Sequence, residues 1–211
     1  MKDKFLPIKI LHEQYRDDFL RGELYLNALT YFKKLEGDQL RGDGDEGVVS
    51  AHQVNEVSVL YRGSWVPLPV RGPVRTHDER FDNLNILCIY MLSGDPDVEF
   101  DRRNEQFGSC AIIIRDLREF LSRVRIAAAK QNWEVFPDPV KYVEEETYEG
   151  RMAPFRKFDH FSYQREYRIV FKTEAKGPCK LDIGDIRDIT YCITSQEICE
   201  IPRVQSIQKE N

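Results

Sequence analysis

The sequence predicts an α+β domain on a mixed, largely antiparallel sheet with a few packed helices. Three observations carry that expectation. Residues 84–92 and 108–114 are near-continuous apolar runs of strand length, which fits strands buried on both faces. Two β-branched runs flank Arg62-Gly63, the pattern of a hairpin. A helix-opening signature at Asp116 falls among many strands, and helices interspersed among strands in this way point to an α+β domain built on a mixed sheet.

Taken in order, residues 7–11 read as a strand and 12–21 as a helix, with Gly22 placed to cap its end. A second strand follows over 23–29. Residues 37–47 concentrate glycines and acids that no packed element accommodates, so they form a loop. Residues 48–60 and 64–70 form the arms of the hairpin, and Pro67 and Pro69 push the second arm to an edge. A mixed charged segment over 71–83 leads into the buried strand 84–92, and the polar stretch 93–106 reads as a surface excursion.

After the strand at 108–114, Asp116-Leu-Arg-Glu119 is a capping box. Leu117, Phe120, Leu121, Val124 and Ala128 recur at helical spacing as a core-facing stripe. A short strand at 140–143 precedes Glu144-Glu-Glu146, a solvated acidic run. A strand through Glu166 comes next, then strands at 180–183 and 188–194. Residues 203–211 read as a frayed tail. At 211 residues, with no repeat or linker, one domain over 1–211 is expected.

Composition narrows the function classes. Hydrophobic residues at 41% and aromatics at 11% fit a folded globule, and 32% charged residues with a net charge of −5 disfavour broad coating of nucleic acid. The basic run Arg115, Arg118, Arg123, Arg125 and Lys130 reads as a solvated helix face. Cys88, Cys110, Cys179, Cys192 and Cys199 are odd in number and widely spaced, which predicts buried thiols in a reducing compartment. With no signal-like N-terminus and no apolar run of spanning length, a cytoplasmic protein without membrane contact is expected.

No phosphate-binding loop, dinucleotide fingerprint, nucleophile elbow or zinc-protease motif occurs. The histidines show no metal-ligand spacing. Asp43, Asp45 and Glu46 are close enough in sequence to share a divalent cation as a nuclease would, but a flexible acidic turn explains them equally, and no metal is expected.

The more informative segment is Phe161-Ser-Tyr-Gln-Arg-Glu-Tyr-Arg-Ile-Val-Phe171. As a continuous strand it would put Gln164, Glu166 and Arg168 on one face. A carboxylate fixed there can hydrogen-bond a ribose hydroxyl and stabilise positive charge developing on the sugar, while Gln164 orients an acceptor. The plainer alternative is a surface ion pair of Glu166 with Arg168, worth ~0–1 kcal/mol.

Three segments, Phe19-Leu-Arg-Gly-Glu-Leu-Tyr-Leu-Asn27, Arg41-Gly-Asp-Gly-Asp-Glu-Gly47 and Lys157…Tyr163-Gln-Arg-Glu-Tyr-Arg168, together resemble an uncharacterised family of bacterial and prophage proteins. More distantly, the opening strand–helix–Gly–strand and the late Gln164-x-Glu166 pair resemble ADP-ribosyltransferases. That resemblance implies NAD as cofactor, Glu166 and Gln164 as catalytic residues, and Tyr25, Asn27 or Tyr31 near the nicotinamide. It also implies His12 or Lys9 near the ribose, Arg168 among the cofactor contacts, and a protein or nucleic-acid acceptor. The chain departs from those enzymes in lacking a clear Ser-Thr-Ser strand.

Two readings follow. One is an NAD-dependent transferase with a concave site joining the first two strands to Glu166. The other is a non-catalytic binding protein of a phage or mobile element, a defence or anti-defence factor that engages a host protein or nucleoprotein through its charged surface. The second predicts no enclosed pocket at Glu166, and an exposed patch or pronounced charge asymmetry instead. Oligomeric state is not legible from the residues.

Overall fold

A computed structural model describes residues 5–29, 31, 45–54, 57–69, 73–78, 81, 83–175 and 177–202. In chain order the strands and helices are β1 (Phe5–Leu11), α1 (Arg16–Leu20), β2 (Glu23–Ala28), β3 (Val48–His52), β4 (Val57–Tyr61), β5 (Ser64–Leu68) and β6 (Val74–His77). Then follow β7 (Leu84–Ser93), β8 (Cys110–Ile114), α2 (Leu117–Lys130), β9 (Glu134–Pro139), β10 (Lys141–Val143), β11 (Gly150–Arg151) and β12 (Arg156–Phe158). The chain continues with β13 (Glu166–Lys172), β14 (Cys179–Asp182) and β15 (Thr190–Thr194). Short 3-10 turns join several of them. The result is a mostly antiparallel, strand-rich fold with few helices.

The apolar run expected to be buried on both faces is β7, and it is the centre of the main sheet. β13 pairs along one edge of β7 from Glu166↔Tyr90 to Lys172↔Leu84, and β9 lies beyond it. The other edge is shared. β1 pairs with β7 as far as Ile8↔Tyr90, and β2 pairs at Asn27↔Ile86 and Ala28↔Asn85. In the fork between them the Lys9 ammonium donates to the Cys88 carbonyl at 3.0 Å. β8 and β15 extend the sheet past β1, and β14 extends it past β2.

One face packs on α2. Phe120 and Val124 meet Leu24, Leu26, Leu87, Ile89, Ile112, Ile169 and Phe171 there, as the helical spacing predicted. The Asp116 carboxylate caps α2 by accepting from the Glu119 N–H at 2.9 Å. Gly22 ends the first helical segment at φ 88°, and a Cβ there would sit 1.9 Å from the Gly184 carbonyl oxygen, so glycine is required on both counts. On the opposite face Leu29, Leu84, Ile86 and Val170 form a second core against Phe155. The small sheet β11-β3-β6 and the parallel pair β10-β12 carry a third cluster, Val48, Ala51, Met152 and Phe158.

Several expectations need correction. The first helix is a 3-10 turn at Glu13–Tyr15 followed by the five residues of α1. Residues 48–60 are two strands in different sheets, since β3 pairs β6 and β11 while β4 pairs β5. The excursion 93–106 contains a 3-10 turn, Arg102–Phe107, that buries Asn104, and Phe100 enters the core beside Tyr90. Residues 161–164 are not strand but belong to the 3-10 turn Asp159–Gln164. β9 was not anticipated because Pro137 and Pro139 disguise it; it lies at an edge, where a missing N–H is tolerated. Of the five cysteines expected to be buried, Cys110 is; Cys88 and Cys179 are half-buried, and Cys192 and Cys199 are exposed. The tail 203–211 and residues 37–44 of the expected loop lie outside the described residues. Among the described residues no helix is long and apolar enough to cross a membrane.

Candidate functional site

Gln164, Glu166 and Arg168 do come together, though not by strand alternation. The 3-10 turn ends at Arg165, whose left-handed backbone (φ 39°) turns the chain into β13. The Arg165 carbonyl accepts from the Met91 N–H at 3.0 Å, and Glu166 then pairs opposite Tyr90. Gln164 meets Glu166 through a shared cation: the Lys157 ammonium donates to Gln164 Oε1 at 2.8 Å and to Glu166 Oε1 at 3.1 Å.

The other Glu166 oxygen, Oε2, accepts from Arg168 Nε at 2.7 Å. The rest of the guanidinium is a two-pronged clamp on Glu46, with bonds of 2.8 and 2.7 Å, and one prong also reaches the Pro154 carbonyl at 2.7 Å. Lys157 lies 3.7 Å from Glu46 Oε2, which closes a ring of two acids and two bases. All four are removed from water: the Arg168 side chain is 1% exposed, and the least buried, Glu166, 11%. The Tyr142 hydroxyl accepts from the Glu166 N–H at 2.9 Å.

Burial alone would raise the Glu166 carboxyl, but Arg168 and Lys157 outweigh it and hold it well below its ordinary 4.5. Burial works against the Arg168 charge, and Glu166 and Glu46 more than restore it. On the same sheet face the Cys88 thiol, opposite Arg168, is pushed up to about 12 by burial first and Glu166 second. Burial, reinforced by Glu166, likewise raises the Tyr142 phenol.

The expected surface ion pair is therefore a buried network. It joins two of the segments that carried the resemblance, the acidic loop through Glu46 and the late motif through Lys157, Gln164, Glu166 and Arg168. Glu46 is spent on Arg168, and Asp45 lies 2.7 Å from Arg75, which also pairs with Glu145. The cation reading of the acidic loop loses both acids to these pairs, and Asp43 lies outside the described residues. No cluster of three metal-capable side chains occurs among the described residues.

The remaining site candidates divide. Asn27 stands opposite Ile86 in the same cross-sheet row as Val170, so Tyr25 and Asn27 share the sheet face of Glu166 and Arg168. Tyr25 is exposed, and Asn27 Oδ1 is buried with no hydrogen-bond partner. Tyr31 is exposed beyond β2, and His12 lies past the end of β1, four residues along from the Glu166 row. The structure does not bring His12 to Glu166. A cleft of about 460 Å³ opens elsewhere, between Val49, Asp78, Phe81, Leu84 and Arg151.

The surface of the hairpin is a further candidate site. β4 and β5 pair only with each other among the described residues, through Val57↔Leu68, Val59↔Val66 and Tyr61↔Ser64 on one face and Ser58↔Pro67 and Leu60↔Trp65 on the other. The turn has positive φ at both central residues, Arg62 (49°) and Gly63 (83°), as a two-residue hairpin requires. Leu60 is 60% exposed and Trp65 71%, with Val59, Tyr61, Val66 and Leu68 also exposed. A signal was present in the sequence: residues 57–68 contain one charge, Arg62, in a chain that is 32% charged.

No protein family matches this sequence, and no curated protein or solved structure matches it.

Proposed function

We propose that this chain, acting as a single cytoplasmic domain, is a non-catalytic binding protein that engages protein surfaces through the β4-β5 hairpin. One observation carries the reading: a two-stranded arm, apolar on both faces, pairs with no other strand among the described residues. An isolated hairpin is marginal in water, and exposed apolar patches of this kind mark association sites. Trp and Tyr are also the side chains that most often anchor protein contacts.

The buried network supports the same reading from the other side. A glutamate that stabilises a ribosyl cation needs uncompensated negative charge facing the sugar. Glu166 instead has a cation on each oxygen, at 2.7 and 3.1 Å, and its ring of charges sums to zero. The network thus reads as a clamp between the acidic loop and β13. The test is capture from an extract of the source organism with the wild type and with Leu60→Ser/Trp65→Ser. Proteins retained by the first and lost by the second are expected; an identical set with both would overturn the reading.

A second reading, the NAD-dependent transferase, draws on the shared face of Tyr25, Asn27 and Glu166. Asn27 Oδ1, which has no hydrogen-bond partner, would accept from a carboxamide N–H such as nicotinamide's once its side chain turns out of its buried position. Calorimetry with NAD decides it: binding weakened by both Asn27→Ala and Glu166→Gln would restore it, and no heat with the wild type would remove it.

A further inference from the structure

We infer that the hairpin's partner is a second copy of this chain, joined through the outer edge of β4 to its two-fold mate. The inference rests on the hairpin reading above and names the occupant of that surface. The two outer edges of the hairpin are not equivalent. In a two-residue hairpin the residues flanking the turn exchange backbone bonds, so Tyr61↔Ser64, Val59↔Val66 and Val57↔Leu68 are the bonded pairs. The N–H and C=O groups of the alternate residues then point outward.

On β5 those residues are Trp65 and Pro67, and proline has no N–H to offer; Pro69 follows with the same defect. On β4 they are Ser58 and Leu60, both with full donor and acceptor capacity. Among the described residues no strand pairs along the outer edge of β4, which can take a further strand, whereas the outer edge of β5 is blocked by its prolines.

An open edge beside a blocked one favours a closed pair over a fibre. Two β4 strands meeting antiparallel about Val59 give Ser58↔Leu60 and Leu60↔Ser58 bonded pairs across a two-fold axis, the self-complementary contact of a cyclic dimer. The resulting four-stranded sheet, β5-β4-β4-β5, ends on the proline-bearing strand at both sides. It also stacks the apolar faces of the two arms side by side, and the near absence of charge over 57–68 removes the repulsion that two copies carrying −5 each would meet on most of their surface.

Sedimentation velocity of the purified full chain over a concentration series tests the association, and disulfide trapping tests the register. Val59 faces its own mate in a non-bonded pair, where Cα atoms lie about 4.5 Å apart, within disulfide reach. Val59→Cys, in a background with Cys192→Ser and Cys199→Ser, is expected to give a cross-linked dimer under mild oxidation. Val66→Cys is the control: it is similarly exposed, but its mate sits three strand spacings away, about 14 Å. Leu60→Lys is expected to weaken association at least tenfold while leaving the thermal unfolding of the monomer unchanged, because Leu60 lies outside every buried cluster.

A wild type that stays monomeric throughout the series overturns the inference. So does a dimer that survives Leu60→Lys and does not cross-link at Val59→Cys. In either case proteins captured by the wild type and lost with the Leu60→Ser/Trp65→Ser variant would leave the broader hairpin reading standing on a different partner. Failure of both experiments removes both.

Discussion

Arg168 holds Glu46, 122 residues earlier in the chain, through two parallel bonds of 2.8 and 2.7 Å. The clamp fixes the end of the acidic loop over the face of the sheet that does not carry α2. A bidentate guanidinium–carboxylate pair is among the stronger and more geometrically demanding contacts available to a protein.

Removing either residue leaves the buried ring of two acids and two bases with one uncompensated charge. Glu46→Gln and Arg168→Met are each expected to destabilise the fold by about 3–5 kcal/mol, the cost of breaking one side of a buried pair. Urea unfolding measures it, and a double-mutant cycle on the two residues gives their coupling. A loss under 1 kcal/mol for either variant would show that the network relaxes or admits water.

Acid stability follows from Glu166. Its carboxyl is held below the ordinary 4.5 in the folded protein, so the unfolded chain binds its proton first as pH falls. The stabilisation is fully present above pH 4.5 and is lost progressively below it as the pH drops towards the folded value. Wild-type stability should fall steeply in that range. Glu166→Gln should be less stable near neutrality and show a flatter decline in acid. Parallel slopes for the two proteins below pH 4.5 would refute the assignment.

Much of this architecture was legible in the residues, for identifiable reasons. β7 and β8 declared themselves by unbroken apolar runs, α2 by Asp116 and its stripe of Leu117, Phe120 and Val124, and the hairpin by Arg62-Gly63. β9 was illegible because Pro137 and Pro139 are compatible with a strand only at an edge, and edges are a tertiary property. Spacing by two predicts strand alternation for Gln164 and Glu166, whereas the left-handed Arg165 and the cation of Lys157 bring them together. That Glu46 would be Arg168's partner could not be read from spacing, since the pairing depends on how a loop folds over a sheet.

The cysteines provide a solvent-side check on the same packing. Burial pushes Cys88 up to about 12 and Cys110 up to about 11, leaving both as thiols at neutral pH. Cys192 and Cys199 are exposed. A thiol-exchange reagent at pH 7.5 should titrate Cys192 and Cys199 fastest in the native protein, the half-buried Cys179 and Cys88 more slowly, and Cys110 only on unfolding. Fast native labelling of Cys88, located by peptide mapping, would mean that the sheet face around Arg168 opens readily.

The turn of the hairpin offers a gain rather than a loss. Arg62 occupies a left-handed position that asparagine adopts at lower cost, and Asn-Gly is the favoured pair for this turn type. Arg62→Asn should rigidify the arm before it meets its mate, and an ordering gain of about 0.4–1 kcal/mol corresponds to roughly two- to fivefold tighter association. Gly63→Ala, at φ 83°, should act in the opposite direction by straining the same turn. Sedimentation of the two variants beside the wild type measures both shifts. If neither changes the dissociation constant, the arm's own order is not part of the energetics of association, and the contact must be sought on another surface.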